Sequence, residues 1–234
     1  MRRNPRLPKS SVIEDNAEKI ADSIFEFVRM KAAKYPRLGK NTDLSEIIGD
    51  GERFQLGYAM EYSSSSGVSG AIALTFGIED RRRDSFSGSA RSIRDPSLPY
   101  SLIKIDASAK TKVVDFFQGE SRENMLETIV HEIGHVIDKS TRYTRGSAAI
   151  KESHGHLGYV NSRVEIQAEA QAVFYALKKR IASYDEKVSA RDLEGYFKEY
   201  APYSSVMRYR KYTEPSKRIF LLYLYNALND EGLL

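Results

Sequence analysis

The chain has 234 residues, a length that suits one large domain or two small ones, and its 41% hydrophobic and 29% charged content fit a soluble globular protein. It contains no cysteine, which excludes disulfides, thiolate zinc sites and cysteine nucleophiles, so any bound metal must rest on imidazole and carboxylate. The net charge of +4 is too mild for a nucleic-acid signature, and no apolar run reaches membrane-spanning length.

The basic N-terminus MRRNPRLPKSS leads into no apolar segment of signal-peptide type. A cytoplasmic protein, or one exported without a conventional signal, is expected. Residues 12–34 read as an amphipathic helix, with Ile13, Ala17, Ile20, Ile24, Phe27 and Lys31 three or four apart. RFQLGYAMEY and VSGAIALTFG each alternate and flank SSSSG, the signature of a hairpin with one buried face. Residues 79–100 are polar and lack a period, which predicts a long loop. Its basic triplet Arg81 to Arg83 suits a solvated loop better than a partner-binding one. SLIKIDASA at 101–109 predicts another strand, and VVDFF at 113–117 suits either a strand or a helix entry. Helices are predicted over 121–138, 163–183, about 190–200 and 215–229. The whole is expected to be one α+β domain over 1–234, with a sheet region at 52–117 and a helical part at 163–234. The C-terminal tyrosines, among them Tyr209, Tyr212 and Tyr223, read as packing residues, since no nucleic-acid motif accompanies them.

Chemistry concentrates in ETIVHEIGHVIDK. On a helix, Leu126, Ile129, Val130, Ile133 and Ile137 make one apolar stripe, and Thr128, His131, His135 and Asp138 make its neighbour. His131 and His135 are four apart, so both imidazoles reach one ion. Glu132 is turned about 100° from His131, off the ligand line but able to act on a water at that ion. This H-E-x-x-H spacing is the one zinc peptidases use.

A catalytic zinc takes three protein ligands. The sixth residue after His135 is Thr141, so no third histidine stands nearby in compact spacing. SRVEIQAEAQAVFYALKKRI supplies an alternative. Its apolar stripe is Ile166, Ala170, Val173, Phe174, Leu177 and Ile181, with Glu165 and Glu169 one turn apart on an adjacent face of small residues. Glu165 is the preferred ligand, with Glu169 behind it orienting an imidazole; the reverse assignment stays open. His154 and His156, in the connection SHGHLGY, are candidates for substrate contacts.

HEIGH followed by E-x-x-x-E on a later helix resembles the glutamate-type zincins. GYVNSRVEIQAEA resembles more narrowly the catalytic domain of anthrax lethal factor and the related Pro-Pro endopeptidases. The resemblance covers roughly residues 125–180, about a quarter of the chain. It implies a zincin-like metallopeptidase fold, a small mixed sheet with an active-site helix and a C-terminal helical subdomain. It also implies that Glu165 is a Zn²⁺ ligand and that Tyr159 steadies an oxyanion.

The expected activity is zinc-dependent hydrolysis of a protein or peptide substrate, with Glu132 as general base. The substrate would add as a strand to a sheet edge formed by residues 101–107 or 68–77. The rival expectation is an inactive zincin-fold interaction module working through its basic loop.

Overall fold

The structure is a computed structural model describing residues 7, 10–35, 37–49, 51–63, 69–80, 86–93, 100–139, 157–184 and 187–234. Its fold is mixed α and β, and its contacts divide it into two compact units. The first is Ser11–Val136; the second joins Met1–Ser10 to Ile137–Leu234. Among the described residues, no helix is long and apolar enough to cross a membrane.

The first unit is built on a four-stranded mixed sheet of order β1-β2-β4-β3. The strands are β1 (Phe54–Ser63), β2 (Ser69–Glu79), β3 (Phe86–Ile93) and β4 (Tyr100–Ser108). β1 and β2 form the expected antiparallel pair, with Phe54 opposite Phe76 and a bulge between Tyr58 and Tyr62. β2 and β4 run parallel, and β3 lies antiparallel to β4.

Two expectations change here. The aperiodic stretch 79–100 contains strand β3. Its sequence FSGSARSI carries no alternating signal because the positions facing Ala107, Ile105 and Ile103 are Phe86, Gly88 and Ala90, two of them almost without a side chain. The strands expected to offer a substrate edge, 68–77 and 101–107, are both interior, paired on either side; β1 and β3 are the edges. Arg81 to Arg83, and the SSSG part of SSSSG, lie outside the described residues.

Alternation along the strands buries Ile72, Leu74, Phe76, Ile103, Ile105 and Ala107. Helix α1 (Ser10–Ala32) contributes Ile13, Ala17, Ile20, Ile24 and Phe27 to the core, as its spacing predicts. Phe27 stacks on Phe54 at 4.4 Å between centroids. Lys31, at the end of that stripe, pairs with Glu52 and spans the Phe27 ring. The short helix α2 is Leu44–Ile47. VVDFF resolves as a helix, α3 (Val113–Phe116), whose Phe116 is fully buried beside Phe25, Phe76 and Phe86.

Helix α4 (Gly119–Lys139) carries H-E-x-x-H. It buries Met125, Leu126, Ile129, Val130 and Ile133. Arg122 ties its first turn to α1 through Glu18 at 2.5 Å and Asp22 at 2.7 Å.

The second unit is helical. α5 (Arg163–Tyr184) packs against α8 (Glu214–Asp230), with a 3-10 turn at Ala190–Asp192, α6 (Leu193–Tyr200) and α7 (Tyr203–Tyr209) between them. α7 was not legible as a helix. Pro202 opens it, and seven residues give too few turns for a period to show. The core gathers Ile166, Val173, Phe174, Leu177, Phe197, Phe220 and Leu224, with Tyr209, Tyr212 and Tyr223 buried among them.

Phe116→Ala should destabilise the chain by about 3–5 kcal/mol, because it empties a fully enclosed aromatic site at the meeting of α1, α3 and the sheet. Urea unfolding followed by circular dichroism would measure it, and a loss below about 1 kcal/mol would contradict this packing.

Candidate functional site

His131 and His135 stand one turn apart on α4, His131 partly exposed and His135 buried. Their Nε2 atoms are 3.1 Å apart, with the rings crossed at 88°. Two nitrogens each about 2.05 Å from one tetrahedral zinc lie about 3.3 Å apart. The observed spacing therefore suits a shared divalent cation as well as an imidazole-to-imidazole hydrogen bond.

Glu132 is 6% exposed and lies against β3 at Gly88. Its Oε2 is buried with no hydrogen-bond partner among the described residues. Burying an ionised carboxylate oxygen without a partner costs free energy that a neighbouring positive charge offsets. A site made of two imidazoles beside such a carboxylate suits a cation with nitrogen and oxygen ligands, and zinc meets that description.

The acids of the later helix sit in the second unit. Ser162 starts α5, its hydroxyl accepting from the Glu165 N–H at 3.3 Å and its carbonyl from the Ile166 N–H at 3.0 Å. Both acids face inward: Glu165 is 2% exposed and Glu169 4%. Their cation is Arg208 on α7, 2.7 Å from Glu169 Oε2 and 3.7 Å from Glu165 Oε2. Burial alone would lower the pKa of the Arg208 guanidinium, but Glu169 and Glu165 outweigh it and hold the group more firmly protonated.

Tyr212, just beyond α7, belongs to the same cluster. Burial, reinforced by the negative charge of Glu169, pushes its hydroxyl well above the ordinary tyrosine range. That hydroxyl has no hydrogen-bond partner among the described residues.

Tyr159 lies in a helical turn, 157–160, partly buried against the core of this unit and close enough to Arg208 to interact electrostatically. Asn161 fixes that turn. Its amide donates to the Leu157 carbonyl at 2.8 Å, and its side-chain oxygen accepts from the Thr213 N–H at 2.7 Å. The turn carrying Tyr159 is thereby tied to the segment carrying Tyr212.

The structure thus unites His131, Glu132 and His135 in the first unit, and Glu165, Glu169 and Tyr159 in the second. His154 and His156 lie outside the described residues. Arg208 and Gly88 were not assigned to the site from the sequence, and Tyr212 was read there only as a packing residue. Arg208 and Tyr212 sit in the VMRYRKY run, where basic and aromatic residues alternate without a motif, and a pairing across about 40 residues leaves no local trace. A buried acid pair does demand a cation partner, and that demand was the available signal.

Set against known proteins, the chain matches no family model, no curated protein and no solved structure.

Truncating Arg208 to methionine leaves two buried carboxylates without their cation. Because the guanidinium is 38% exposed, water screens part of the pairing, and the expected loss is about 2 kcal/mol. Denaturant titration of Arg208→Met at neutral pH checks this, and Glu169→Gln added to it should recover part of the loss.

Proposed function

We propose that this chain is a zinc-dependent endopeptidase of zincin-like fold, in which His131, His135 and Glu165 hold the ion. Each of the three offers one ligand atom of the type zinc accepts. The observation that carries the reading is the 3.1 Å approach of the two Nε2 atoms beside the buried carboxylate of Glu132.

The ion pair in the second unit supports Glu165 over Glu169. Arg208 engages Glu169 at hydrogen-bonding distance and stands 1 Å further from Glu165, as the difference between 3.7 and 2.7 Å gives. Glu169 makes the shorter contact with the guanidinium, which favours Glu165 as the metal ligand. Two neutral imidazoles and one carboxylate leave a bound Zn²⁺ with a net charge of about +1.

When bound, zinc supplies a Lewis acid that acidifies a water and polarises a peptide carbonyl. The remaining work falls to the chain. Glu132 accepts the proton of the attacking water and passes it to the leaving amine. Its burial beside β3 limits its contact with bulk water. Tyr159, held by Asn161, is the candidate donor to the oxyanion.

The sheet supports a role in substrate binding. β3 is an edge strand, and Gly88 on it borders Glu132. An extended peptide adding to that edge by main-chain pairing would run past the general base. The mixed sheet with an antiparallel edge strand beside the H-E-x-x-H helix is also what favours the zincin-like assignment.

The test is metal content by elemental analysis, with turnover of a peptide library before and after chelation. Bound zinc at about one ion per chain and chelator-sensitive cleavage are expected. Glu132→Ala should retain the zinc and lose about 10²–10⁴-fold in kcat. Cleavage surviving that substitution would overturn the mechanism.

Ligand assignment is tested separately by zinc titration. Glu165→Ala should weaken zinc binding far more than Glu169→Ala, and the reverse order would make Glu169 the ligand. Tyr159→Phe should lower kcat with zinc content intact; an unchanged kcat removes Tyr159 from the reaction.

A further inference from the structure

Gly88 occupies a position that the strand pattern reserves for a side chain. It pairs with Ile105 of β4, a fully buried residue, so both lie on the inward face of the sheet. Phe86 and Ala90, two residues away on either side, share that face. A hydrophobic residue at 88 would complete the row. The glycine leaves a gap, and Glu132 fills it.

A Cβ built on Gly88 would lie 2.4 Å from Glu132 Cγ, 2.7 Å from Oε1 and 2.8 Å from Cδ. Each approach is closer than carbon and oxygen tolerate without moving. β3 is held by its continuous pairing to β4 from Phe86 to Ile93, whereas Glu132 turns about its own side-chain bonds. A methyl group at 88 would therefore displace the carboxylate and leave the strand in place.

We propose that Gly88 is a positioning residue for Glu132: the bare backbone of edge strand β3 is the wall that fixes where this carboxylate sits. The proposal deepens the peptidase reading and rests on it for its catalytic consequence, while the contact itself stands on packing alone. It explains why the edge strand carries a glycine among inward positions, and why a carboxylate is tolerated in a row of hydrocarbon. The Gly88 side position points toward Glu132 on the inward face, at right angles to the strand's in-plane backbone groups. Substitution there should spare substrate pairing and the two imidazoles.

The experiment is a double-mutant cycle of Gly88→Ala and Glu132→Ala in the full chain, read by zinc content, thermal unfolding and steady-state kinetics. Gly88→Ala alone should keep its zinc, lower kcat about 10-fold or more and change KM by less than about two-fold. It should also lower Tm by about 2–4 °C. In the Glu132→Ala background the same substitution should cost little or no Tm, because the atoms it strikes are gone.

An equal Tm loss in both backgrounds would mean that the methyl group strikes something else, and the proposal falls. Wild-type kcat in zinc-loaded Gly88→Ala would sink it as well. If the parent protein cleaves nothing, the peptidase reading fails on its own. The Tm cycle then still decides whether Gly88 holds Glu132: coupling upholds the contact, and its absence removes it.

Discussion

Two ring nitrogens 3.1 Å apart share either a proton or a cation, and every chemical role assigned to this chain follows from the second case. That closeness is produced by ordinary helix geometry. Four residues make slightly more than one turn, so side chains at that interval stack. The helix is held by its other face, where Leu126, Ile129, Val130 and Ile133 are buried, and by Arg122 reaching back to α1. The same turn that aligns the imidazoles sends Glu132 sideways onto β3, so ligand face and base face are set by one rotation.

The second unit distributes charge with similar economy. Two buried acids meet the guanidinium of Arg208. Glu169 takes the shorter contact. Tyr212, kept protonated by burial, adds a neutral polar group.

How much of this was readable beforehand depends on distance along the chain. The helix with its two histidines is a local pattern, and of the expected apolar stripe Leu126, Ile129, Val130 and Ile133 are buried, while the side chain of Ile137 lies outside the described residues. The hairpin of β1 and β2 and the strand β4 were visible for the same reason, through strict alternation. β3 was invisible, since Gly88 and Ala90 remove the apolar signal from its inward face. The choice of edge strand then failed with it: without β3, β4 looked like an outside strand. Arg208 could not be found from sequence, because the acids that need it lie about 40 residues earlier and pairing at that range is settled only by tertiary structure.

The small polar composition of β3 has a further effect. A strand at the edge of a sheet is a place where another chain can pair, including another copy of the same protein. Long apolar edges template fibrils and strand-swapped assemblies. FSGSARSI is poor material for either, with serines at 87, 89 and 92, an arginine at 91 and a glycine that leaves no dry surface to interlock. The features that hid this strand from periodicity therefore also guard it against self-assembly.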